Sequence, residues 1–80
     1  MAIQKLKITR ENDKVWRVLT ALDAHVGNLK LINGVWKFKA IGYDDTGAVL
    51  PGGGPLTERH NTILAVLSDE AVNAAFGDCF

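Results

Sequence analysis

Covalent and metal staples are what this sequence lacks. Its eighty residues hold one cysteine, Cys79, so no disulfide closes within the chain. Two histidines, His25 and His60, together with that cysteine fall short of a standard structural zinc site, and neither metal nor cofactor is expected. No apolar run approaches the roughly 18 residues of a membrane-spanning helix, so no membrane contact is expected. Residues 1–7 alternate charged with apolar side chains and show no apolar signal-peptide region, which makes the cytoplasm the expected location. No Gly-Lys-Ser/Thr ending or GxGxxG spacing marks a nucleotide site. No nucleophile, base and orienting group fall into a recognisable set, and Cys79 lies beside the last residue. An enzyme is therefore not expected.

What is present is ordinary folded-protein chemistry. Hydrophobic residues make up 48% and charged residues 22% of the chain, which argues against disorder and for a single domain over residues 1–80. A core this small, with no staple, gains from a second copy of itself, so a homodimer is the expected assembly.

The periodicities predict an α+β fold in the order β-α-β-β-β-α(-α). A small antiparallel sheet of three to four strands has helices packed on it, the first covering one face and the C-terminal ones the end of the other at Ile41 and Tyr43. Ile3–Thr9 reads as a strand, with Leu6 and Ile8 on one side and Lys5, Lys7 and Thr9 on the other. Asn12 reads as a helix N-cap, because Val15, Val18, Leu19, Leu22 and Val26 follow at helical spacing and Gly27 suits the end. His25 falls in the last turn of that helix. Leu29–Ile32 and Val35–Tyr43 flank Asn33-Gly34, a strong hairpin signal. A two-residue turn there sets Ile32 against Val35, Leu31 against Trp36, Lys30 against Lys37 and Leu29 against Phe38. Asp44–Gly47 is a second turn leading into Ala48–Leu50, and Pro51–Pro55 is a glycine-filled loop. Residues 55–67 suit a helix, with a strand over Thr62–Leu67 as the alternative. Ser68 caps a last helix that runs to Phe76, and the residues from Gly77 onward are expected to fray.

Charge is unevenly spread. Residues 1–40 hold eight basic against three acidic residues, a net of +5, and residues 41–80 hold one against six, a net of −5. The hairpin register puts Lys30, Lys37 and Lys39 on the face opposite the apolar one, with Ile41 and Tyr43 further along. A neighbouring first strand would add Lys5 and Lys7. Lys30 against Lys37 is a like-charge cross-strand pair, and lysine is a poor strand former. Lysines with a nearby aromatic are the ingredients of a phosphate-tracking surface, although an open sheet face is polar in any case.

Residues 26–40, with the Gly42–Gly47 segment and the Pro51–Pro55 loop, resemble a family of small bacterial proteins to which no activity is assigned. That resemblance spans most of the chain and implies no site residue or cofactor. The α-β-β-β-α portion is similar in order to double-stranded RNA-binding domains. Those domains start their last helix with lysines, where this chain has Asp69 and Glu70.

The expected function is a non-enzymatic protein-interaction module, self-associating, that contacts a protein partner through the second face or an edge of its sheet, the partner being a second copy or an unidentified protein. The alternative is a weak nucleic-acid binder using the lysine face. The candidate surface is Lys5, Lys7, Lys30, Lys37, Lys39 and Tyr43 in either case.

Overall fold

A computed structural model describes residues 5–79. Its chain forms β1 (Leu6–Asn12), β2 (Val15–Thr20), β3 (His25–Ile32), β4 (Val35–Tyr43), β5 (Val49–Pro51), β6 (Ile63–Leu64) and α1 (Asp69–Phe76). The strands make one antiparallel sheet in the order β1-β2-β3-β4-β5, with β6 also paired to β4. This corrects the predicted α+β order: among the described residues there is one α-helix, of eight residues, and the first predicted helix is absent. The likeness in order to double-stranded RNA-binding domains falls with it. Ile3 and Gln4 of the first predicted strand lie outside the described residues.

The segment from Val15 to Val26 forms β2, a turn and the start of β3 because its composition favours strand over helix. Val15, Val18, Thr20 and Val26 are β-branched and Trp16 is aromatic. Asn12 closes a turn, its Oδ1 accepting the Lys14 N–H at 2.8 Å, and does not cap a helix. The helical spacing was produced by a sheet irregularity. Val18 and Leu19 are both buried, yet only Val18 joins the main core. Val26 is an extra residue in the ladder, since Val18 pairs with Gly27 and Leu19 with His25. That bulge turns Val26 into the core as well. Leu22, which completed the supposed apolar stripe, is 92% exposed.

The Asn33-Gly34 hairpin adopts the expected register throughout, and both turn residues have positive φ. Its apolar face supplies the centre of the core, where Leu29, Phe38 and Ala40 are fully buried with Leu6, Val18, Leu56, Val72 and Phe76. Trp16 and Trp36 pack at the margin. The Phe38 and Phe76 rings meet at 4.4 Å between centroids, joining the sheet to α1. A side chain at Gly27 would fall on the Phe38 ring, so glycine there is what lets the ring lie across β3.

Residues 49–64 are laid along the outer edge of β4. Ile41, Gly42 and Tyr43 pair with β5, and Trp36 and Lys37 pair with β6. Between them the Phe38 N–H bonds to Thr62 O at 2.7 Å, the Asn61 N–H to Phe38 O at 2.8 Å and the Gly52 N–H to Ala40 O at 2.7 Å. The Ala40 N–H finds its acceptor in His60 Nδ1 at 3.0 Å. These demands replace the predicted helix over 55–67 with a short 3-10 turn at Thr57–Arg59 and the two-residue β6. Asn61, at φ +72°, breaks any helical continuation. The strand alternative for Thr62–Leu67 is met at Ile63 and Leu64 alone.

The last helix starts where expected, Ser68 Oγ accepting the Ala71 N–H at 3.0 Å. It also covers the edge of β1. Asn73 Oδ1 accepts the Leu6 N–H at 2.9 Å, its Nδ2 donates to Leu6 O at 2.8 Å, and Asp69 Oδ1 accepts the Ile8 N–H at 2.9 Å. Two helix side chains, four residues apart, thus stand in for a neighbouring strand. Gly77 is buried and continues into a 3-10 turn, where Asp78 pairs with Arg59 at 2.9 Å. The segment expected to fray thus holds a 3-10 turn over Gly77–Cys79 and a tie to Arg59. Phe80 lies outside the described residues.

Two substitutions test this architecture. A Cβ at Gly42 would come within 2.6 Å of the Gly54 backbone, so Gly42→Ala should cost about 1–3 kcal/mol of stability by overpacking. His60→Ala should cost about 1–3 kcal/mol by leaving the buried Ala40 N–H without an acceptor. Urea unfolding midpoints measure both, and an unchanged midpoint in either would contradict the packing described.

Candidate nucleic-acid interface

The sheet has one covered and one open face. Directly opposed residues share a face, so the register extends the lysine surface across four strands. Val15 opposes Lys30, which opposes Lys37; Thr9 opposes Arg17, which opposes Asn28, which opposes Lys39; Lys7 opposes Leu19. The structure therefore brings Lys7, Lys30, Lys37 and Lys39 onto one face, as the sequence suggested. The first strand stands two positions from Lys30, with β2 between, and three from Lys37 and Lys39. Lys5 lies just ahead of β1, at the margin, where its N–H donates to Asn73 Oδ1 at 3.0 Å.

Arg17 was missed by sequence reasoning. Assigned to a helix, it had no reason to sit beside lysines of the hairpin. In β2 it lies diagonal to Lys30 and one strand from Asn28. The alternation of Val15, Arg17 and Leu19 would have found it had the segment been read as strand.

The charges on this face are unequally compensated. Lys7 pairs with Asp23, and Lys39 Nζ donates to Asn61 Oδ1 at 2.7 Å. Among the described residues the other ion pairs are Arg10 with Asp13 and Arg59 with Asp78. None of these carboxylates reaches Arg17, Lys30 or Lys37, which form an unneutralised cluster at the middle of the sheet. Lys30 and Lys37 stand about 5.5 Å apart between Cα atoms, the spacing of a hydrogen-bonded antiparallel pair.

The cluster is bounded at its far end by a hydrogen-bonded chain. Tyr43 shares the face by alternation with Lys37 and Lys39, and its hydroxyl lies 3.1 Å from His25 Nδ1. His25 Nε2 lies 2.9 Å from Asn28 Oδ1. An amide oxygen only accepts, so Nε2 carries a proton and the Tyr43 hydroxyl can donate to Nδ1. This places His25 at the start of β3, in place of the predicted helix end. Beyond Tyr43 the face turns acidic. Asp44 accepts from the Thr46 hydroxyl at 2.7 Å and from the Ala48 and Thr46 N–H groups at 2.9 Å. Those bonds, the hydroxyl's first, hold its carboxyl below the usual carboxylate range.

Two other features are structural. The Gly52 and Gly53 amides are bonded to Ala40 O and Leu50 O, so that loop has no anion cradle at those positions. Cys79 is exposed, and among the described residues no group of histidine, cysteine and carboxylates is gathered for a metal. No helix of the described residues is long and apolar enough to cross a membrane. Compared with known protein families, curated proteins and solved structures, the chain finds no match in any of the three.

The like-charge pair carries a folding cost that can be read directly. Lys30→Thr should raise stability by a few tenths of a kcal/mol near 50 mM salt, about what opposed like charges cost. The gain should shrink near 1 M salt, where screening falls to about 3 Å. Urea unfolding at both salt concentrations measures it, and a gain that ignores salt would assign the effect to strand propensity alone.

Proposed function

We propose that this chain is a nucleic-acid-binding domain whose open sheet face meets the sugar–phosphate backbone. The observation that carries the reading is the uncompensated cluster of Arg17, Lys30 and Lys37, flanked by Lys39 and Lys7 on the same face. Folding gains nothing from placing two lysines opposite each other. A row of phosphates, one negative charge every 3.4 Å per strand, supplies the missing counter-charge and releases bound cations as it docks.

Other partners fit less well. A second copy set face to face would double the repulsion instead of relieving it. Edge pairing is obstructed at β1 and limited at β5. At β1, α1 side chains occupy Leu6 and Ile8, and Glu11 forms a bulge between Arg10 and Asn12. At β5, Pro51 has no N–H to offer a neighbouring strand.

Fluorescence anisotropy with a labelled single-stranded oligonucleotide tests the proposal. Four phosphate contacts, from Arg17, Lys30, Lys37 and Lys39, correspond to a slope of about −3 in log affinity against log salt. That is roughly a fifty-fold loss between about 50 and 200 mM. The double substitution Lys30→Glu, Lys37→Glu should abolish binding. Affinity that ignores salt, or survives that double change, would sink the proposal. So would equally tight binding of polyglutamate, which would point to an acidic protein partner.

A further inference from the structure

We infer that the ligand of this face is single-stranded, with a base stacked on Tyr43. The inference rests on the nucleic-acid reading and adds the strandedness of the ligand and the residue that senses it. Tyr43 is 48% exposed at the end of the cationic face. An exposed aromatic residue on a strand normally has a mobile ring. Here the hydroxyl is anchored to His25, and His25 to Asn28, which lies between Arg17 and Lys39 in the ladder. The hydrogen-bonded chain thus runs from the aromatic ring into the cation cluster. His25 meets the ring at 6.4 Å between centroids and 48° between planes, so it does not stack on the tyrosine and fill the place of a base.

The spacing fits a short strand. Lys39 and Tyr43 lie on the same face four residues apart, about 13 Å at the rise of an antiparallel strand. That is the length of about four stacked nucleotides. Lys37 lies two residues further, about 20 Å from Tyr43, or about six nucleotides. Asp44, kept ionised by its own turn, repels phosphate just past Tyr43 and confines the backbone to the lysine side. A duplex keeps its bases paired and stacked inside, where their ring faces are closed to Tyr43. It would offer this surface phosphates alone. Unpaired bases offer both partners, and sequence-tolerant stacking on aromatic residues beside a cationic track is how single strands are held.

The test uses three labelled probes at one low salt concentration: an eight-nucleotide oligothymidylate, an abasic strand of equal phosphate count, and a twelve-base-pair duplex. The wild-type chain should bind oligothymidylate at least tenfold more tightly than the abasic strand. Tyr43→Ala should remove that difference while leaving abasic affinity unchanged, which also shows that the variant is folded. Tyr43→Phe should keep most of it. In a separate series of oligothymidylates from two to ten nucleotides, affinity should climb up to about six thymidines and then level off. Equal binding of the abasic and thymidine strands, or tighter binding of the duplex, would overturn the stacking inference and leave the cationic face standing. Absence of binding to all three probes would overturn both.

Discussion

Strand β4 is hydrogen-bonded along both edges, and the outer row of bonds is what commits residues 49–64 to the sheet. On its inner side lies β3, held by the Asn33-Gly34 turn. On its outer side β5, Gly52, His60, Asn61, Thr62 and β6 follow in succession, so the main chain of β4 is met along its length. The segment that provides these groups is otherwise poor in regular structure. It is fixed by where its polar groups must go, together with Leu56 buried beneath it. Gly42 and Gly54 allow the closest approach, backbone against backbone.

With the β4 edge closed by the later chain and part of the β1 edge by α1, the sheet keeps one extensive unpartnered surface. The main core lies on the other face, and on this one, among the described residues, only Leu19 and Ile41 are buried. The open face is polar for the ordinary reason that it meets water, but its charge is one-sided. Its carboxylates lie at the ends, as Asp23 beside Lys7 and as Asp44 and Asp45 in the turn after Tyr43. The uneven halves of the sequence therefore become an uneven surface, positive across the strands and negative toward one end.

Legibility in the sequence followed the range of the forces involved. The β3–β4 hairpin was readable to the residue because Asn33-Gly34 fixes a register by local geometry, and the Ser68 cap likewise marked α1. The Asp44–Gly47 turn was readable for the same reason, its carboxylate bonding two and four residues ahead. Val15–Val26 misled because a bulge at Val26 and burial on both faces at Val18 and Leu19 reproduced a 3.6-residue spacing. Nothing local announced that bulge. The strand composition around Trp16 was the available signal, and following it would have brought Arg17 to the lysine face. Residues 55–67 were unreadable for a different cause, since His60 and Thr62 answer to β4, some twenty residues earlier.

The way α1 covers β1 has a consequence for the order in which the molecule is assembled. Asn73 bonds to Leu6 across 67 residues of chain, and Asp69 to Ile8 across 61. During synthesis the first strand emerges long before the groups that complete its outer edge. Its pairing with β2 forms early and locally, while its exposed side stays a template for other chains until the last helix is made. The interval between those two events is the period in which this protein is most open to mispairing. Ser68, by starting α1 without help from the sheet, shortens it.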